Sequence, residues 1–148
     1  MDIRAQYGPL RSEVDAAIAE VLDTGRFILG PNVAALEEAV GERLGGRHCV
    51  GVANGTDALV IALDALDVGP GDEVITTPYT FYATAEAIAR VGATPVFCDI
   101  EPVGYGLDPE AAAAAVTERT KALLPVHIFG QPADMGPISS LAARHGLA

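Results

Sequence analysis

The order of apolar and polar positions changes rhythm partway along the chain. In "LRSEVDAAIAEVLDT", residues 10–24, Leu10, Val14, Ala17, Ile18, Val21 and Leu22 recur at helical spacing, and Gly25 is placed to stop the helix. A loop, "RFILGPN", leads to a second predicted helix over 33–44 that buries Leu36, Val40 and Leu44 and ends on Gly45-Gly46. After that, short wholly apolar runs alternate with helical patterns. "HCVGVA", "EVITT", "TPVFCD" and "ALLPVHI" read as strands. "TDALVIALDALDV", "FYATAEAIARVG", "DPEAAAAAV" and "MGPISSLAARHG" read as helices, with Asp108 as an N-cap, Pro109 in its first turn, and the last helix starting near Pro137.

Strand and helix in alternation imply right-handed crossovers and a mostly parallel sheet with flanking helices, an α/β fold. Strands that are apolar at every position suit a sheet covered on both faces. The expected division is an N-terminal helical segment, 1–45, followed by an α/β region, 46–148. The closing "RHGLA" places Gly146 after a helix and Leu147-Ala148 at the first step of another strand, so the pattern reads as the front part of a longer protein.

Composition narrows the function. Half of the 148 residues are hydrophobic, which excludes disorder. The net charge of -11, with acids scattered along the chain, speaks against a nucleic-acid partner, since phosphate backbones require clustered Lys and Arg. No apolar run reaches the length of a membrane helix, and "MDIRAQYGPL" lacks a signal pattern, so a cytoplasmic protein is expected. Cys49 and Cys98 lie in apolar runs and read as buried thiols. The histidines, His48, His127 and His145, are too dispersed for a zinc site, and no metal is expected.

The candidate chemistry lies at "VANGTDALVIAL", 52–63, where a predicted strand meets a helix. The first amides of a helix have no internal acceptor and favour an anion. Gly55 permits close backbone approach, Thr56 can cap or donate its hydroxyl, Asn54 can stabilise the turn, and Asp57 can offer its backbone N–H but not its carboxylate. The same residues also read as a plain turn with a capped helix. No Walker loop and no Gly-x-Gly-x-x-Gly is present. At the next strand end, "ITTPYTFYATAEA" gathers Tyr79, Phe81 and Tyr82, three of the eight aromatics. One of them can stack on a planar ring, and at least one should pack against the sheet.

"NGTDAL", "PYTFYATAEA", "GATPVFCDI" and "PVHIFGQPADM", in that order, resemble the DegT/DnrJ/EryC1/StrS sugar aminotransferases over nearly the whole chain. The resemblance implies the fold of the aspartate aminotransferases, here an incomplete large domain of a fold-type I enzyme that uses pyridoxal 5'-phosphate. It implies that Gly55, Thr56 and the backbone of Asp57 bind the cofactor phosphate and that Phe81 stacks on the pyridine ring. It implies that Phe27, in "GRFILG", lies near a site shared in a homodimer, and that His127 and Gln131 belong to a loop near the cofactor. The family activity is transfer of an amino group from an amino acid such as glutamate to a keto-sugar nucleotide, in amino-sugar or antibiotic biosynthesis. Dehydratases of the same family, and a non-catalytic interaction module, are the alternatives. The family's Schiff-base lysine and the acid facing the pyridine nitrogen match no position here. The single lysine, Lys121, reads as a surface charge, so this chain alone is expected to be inactive.

Overall fold

The computed structural model describes residues 2–148, which fall into two compact units, one ending at Gly51 and the other spanning Val52–Ala148. The first unit holds helix α1, Ile3–Thr24, and helix α2, Pro31–Arg43. Helix α1 begins seven residues before the periodicity predicts. Asp2 caps it, its carboxylate accepting from the amides of Arg4 (3.0 Å) and Ala5 (3.2 Å). The helix runs through Gly8 and Pro9, and at Pro9 it has no backbone N–H to donate. Gly25 takes the left-handed conformation that ends α1, φ 66°, and donates to the carbonyl of Val21. The apolar stripe of α1 is present but buries none of its residues, and in α2 Leu36 is exposed, as is Leu44 just after it; Val40 is half-buried.

"HCVGVA" forms no strand. Among the described residues its backbone makes no ladder bond, and a strand exists only with a hydrogen-bonded neighbour. The amide of Gly51 instead donates to the Glu37 carboxylate at 2.7 Å. Cys49, in this segment, is half-buried rather than buried.

The second unit contains helix α3, Gly55–Ala65; strand β1, Glu73–Thr76; helix α4, Ala83–Arg90; strand β2, Thr94–Phe97; helix α5, Pro109–Ala115; strand β3, Thr120–Leu123; and helix α6, Met135–His145. The sheet has the order β2-β1-β3, with both pairings parallel, as crossover connections require. Central strand β1 is buried at every position, because the sheet is covered on both faces. Ile75 joins Cys98, Leu107, Ala112, Leu123, Ile138 and Leu141 in one core. Its neighbour Val74 joins Leu63, Val68, Ala87, Ile88, Ala93 and Ala122 in the other. Strand β2 is the exception to the two-sided pattern. It is an edge, exposed at both ends, and it accommodates Pro95.

Beside the outer edge of β3, Leu123 donates to the carbonyl of Ala148 (2.9 Å), and Ala148 donates to the carbonyl of Lys121 (3.1 Å). Leu147 packs against the first core. Helix α6 starts at Met135, capped by Asp134, two residues earlier than Pro137 suggests. As expected, Asp108 caps α5 through the amides of Glu110 and Ala111.

Candidate functional site

Three connections converge at the C-terminal ends of the strands and the N-terminus of α3. There Gly55, Thr56 and Leu59 of α3, Thr80, Phe81, Ala83 and Thr84 around the start of α4, and Val126, His127, Ile128 and Phe129 after β3 enclose a depression of about 540 Å³. That volume is within the range of small-molecule and cofactor sites, and strand ends are where open α/β sheets place ligands.

The polar end of the depression is built by the cap of α3. Asn54 is extended, φ -163° and ψ 174°, and its Oδ1 accepts from the amide of Asp57 at 2.9 Å. Its Nδ2 donates to the Asp57 carboxylate at 3.0 Å, and Arg90 of α4 faces the same carboxylate at 3.6 Å. Asp57 is thereby held by its neighbours through both backbone and side chain and does not line the depression. The Asp57 N–H, expected to face a phosphate, is here engaged by the cap oxygen of Asn54. The amides of Gly55 and Thr56 remain. Among the described residues neither has a protein acceptor. A Cβ built on Gly55 would meet no protein atom within 4 Å, so the glycine leaves open space.

The wall is aromatic. Phe81 lines the depression and is 77% exposed. Its neighbour Tyr79 is the aromatic that packs. It lies 6.0 Å from Tyr105 and 6.3 Å from Phe129, edge-on to the latter. Tyr82 is exposed and does not line the depression. Beneath the wall, the hydroxyls of Thr80 and Thr84 share a hydrogen bond of 2.9 Å. At the ends of β1 and β3, the Thr76 hydroxyl donates to the Leu124 carbonyl at 2.8 Å, and the amide of Leu124 donates to the carbonyl of Ile75.

The loop after β3 supplies the third side. A short 3₁₀ turn, Ile128–Gly130, contains Phe129 in the left-handed region, φ 54° and ψ 21°. No residue type in the sequence announces that conformation, and the role of Phe129 at the rim was not legible there. His127 lines the depression, whereas Gln131 is exposed and does not. Lys121 is exposed within β3, before the chain reaches the loop, and is not among the lining residues. Phe27 belongs to the first unit. There it is exposed and, with Val14, Ile18 and Leu22, lines a separate apolar depression of about 500 Å³.

The family model of the DegT/DnrJ/EryC1/StrS aminotransferases matches residues 9–148. The chain belongs to this family. A curated relative, the UDP-N-acetyl-3-dehydro-alpha-D-glucosamine 3-aminotransferase of Acidithiobacillus ferrooxidans, is 52% identical over 147 residues, covering 99% of this chain and 40% of its own length. The crystal structure of Streptomyces venezuelae DesV in complex with a ketimine intermediate superimposes with a TM-score of 0.95 at 48% identity, over 99% of this chain and 39% of that one. The structure of NtdA from Bacillus subtilis with bound cofactor PMP gives a TM-score of 0.89 at 38% identity, over 92% of this chain and 31% of that one. The chain therefore spans about 40% of the length of the curated relatives it matches, and its α/β fold is that of the corresponding part of these aminotransferases.

Proposed function

We propose that this chain forms the phosphate cup and ring wall of a pyridoxal 5'-phosphate site in a sugar aminotransferase. The whole protein would pass an amino group from an amino acid such as glutamate to a keto-sugar nucleotide, acting as a cytoplasmic homodimer. The observation that carries this reading is the pairing, in one depression, of two unpartnered helix-start amides with an exposed phenyl wall. Family membership and relatives named as sugar aminotransferases support the same chemistry.

The residues present fit the group. A dianionic phosphate suits the amides of Gly55 and Thr56, the Thr56 hydroxyl and the positive end of the α3 dipole. A flat heteroaromatic ring suits Phe81. When bound, the cofactor supplies an aldehyde that a lysine amine can engage and a ring that withdraws electrons. The chain's own contribution is to bind and orient. The cap holds Asp57 against Asn54 and Arg90, which keeps its negative charge turned to those partners. Leu59 and Ala83 give the depression apolar lining that limits water.

Amide-resolved NMR with inorganic phosphate tests the cup. The expected result is perturbation centred on Gly55 and Thr56, with Asp57 less affected because its N–H is already bonded. Perturbation elsewhere, or none at millimolar phosphate, would count against it. Borohydride treatment with pyridoxal phosphate should leave Lys121 without stoichiometric label. Full labelling at Lys121 would reassign that residue.

A further inference from the structure

His127 lines the depression where β3 gives way to the loop. Its Nδ1 lies 3.0 Å from the backbone amide of Ala133. An amide N–H only donates, so Nδ1 is the accepting, unprotonated nitrogen, and a neutral ring then carries its proton on Nε2. Nε2 has no protein acceptor among the described residues. We propose that His127 is a tautomer-locked hydrogen-bond donor, presenting Nε2–H to an oxygen borne by the ring of the ligand in the cup. It is a binding residue there and does not act as a base through Nδ1. The choice of ligand rests on the cofactor reading above, whereas the tautomer rests on this structure alone.

The lock is built by the loop. Gly130 donates back to the carbonyl of His127 (3.2 Å) and Gln131 to that of Ile128 (2.9 Å), and with Phe129 in the left-handed region the chain reverses. Ala133 thus comes under the imidazole. Ala133 is itself fixed, as a buried member of the core around Ile75. Gly106 lies against it so closely that a Cβ there would stand 2.9 Å from the Ala133 Cβ. The amides suited to a phosphate are on α3, a different lining element, so the donor on the loop is free for another part of the same ligand.

Two isosteric substitutions separate the two nitrogens. In His127→Asn the side-chain oxygen takes the place of Nδ1 and keeps the Ala133 bond, but no group replaces Nε2–H. In His127→Gln the amide nitrogen takes the place of Nε2 and the strap is lost. Nitrogen-15 spectra of the histidine-labelled chain should show the Nε2–H tautomer for His127. Titration with pyridoxal phosphate should show affinity about tenfold weaker in H127N and within about threefold of wild type in H127Q. Inorganic phosphate should bind all three alike. Amide exchange at Ala133 should stay slow in H127N and quicken in H127Q. An Nδ1–H tautomer, the reverse pattern, or equal losses in both variants overturns the proposal. Wild type binding phosphate while H127N keeps full affinity for pyridoxal phosphate overturns the donor role and leaves the cofactor reading standing. Wild type binding neither compound sinks both.

Discussion

At the scale of single residues, the cup depends on who takes the first amides of α3. Asn54 takes the N–H of Asp57 and leaves those of Gly55 and Thr56. Asn54→Ala should cost about 0.5–2 kcal/mol of stability, the usual value of an N-cap, measured by urea unfolding. It should also weaken phosphate binding, because the helix start frays. Gly55→Ala separates binding from folding. The added methyl meets no protein atom, so stability should be unchanged or rise by up to about 1 kcal/mol. Affinity for inorganic phosphate should nevertheless fall, and unaltered affinity would show that Gly55 is not at the anion. The thiols should behave differently from each other. Cys98 is 7% exposed, and burial, with the nearby Asp108 charge, raises it above the ordinary thiol range. A thiol reagent at neutral pH should modify Cys49 first and Cys98 only as the chain unfolds.

At the scale of elements, the parallel sheet is pinned at the end opposite the cup by a buried carboxylate. Glu73 of β1, 6% exposed, accepts from the Thr117 hydroxyl and pairs with Arg119, both in the connection leading into β3. The Thr117 hydroxyl first, then Arg119, holds its carboxyl below the usual carboxylate range, with desolvation opposing. A depressed folded value means the contribution is complete above the unfolded pKa, about 4.3. It is lost as pH falls through the lower folded value. Acid unfolding of Glu73→Gln should therefore lack this part of the wild-type loss of stability below about pH 4. Parallel acid profiles would remove Glu73 from the account. The alternation of short apolar runs with helical patterns was enough to read the α/β class and most helices from the sequence. It failed where context decides. "HCVGVA" has a strand's composition but no hydrogen-bonded neighbour, and the helix predicted from Leu10 starts at Ile3, where Asp2 caps it. The candidate site was partly legible for a related reason. Gly55 and Thr56 open a helix and Phe81 lies between a strand and the next helix, positions that sequence rhythm marks, and they line one depression. Phe129, and the engagement of Asp57 by Asn54 and Arg90, depend on backbone angle and tertiary contact, which sequence rhythm does not encode.

At the scale of the whole molecule, the second unit is a covered sheet with a depression at its strand ends, the proposed cup. The first unit exposes an apolar stripe along α1. Among the described residues no helix is long and apolar enough to cross a membrane. Core truncation should separate architecture from site. Ile75→Ala, in a fully buried position, should cost about 2–5 kcal/mol, while Phe81→Ala should leave stability within about 0.5 kcal/mol because its ring is exposed. The measurement that bears most directly on the cup is calorimetric titration of wild type and Phe81→Ala with pyridoxal phosphate, pyridoxal and inorganic phosphate. Pyridoxal phosphate should bind wild type more tightly than either part alone, and loss of Phe81 should weaken pyridoxal phosphate severalfold while sparing inorganic phosphate. Equal binding of pyridoxal and its phosphate ester, or an F81A chain indistinguishable from wild type toward all three, would contradict it.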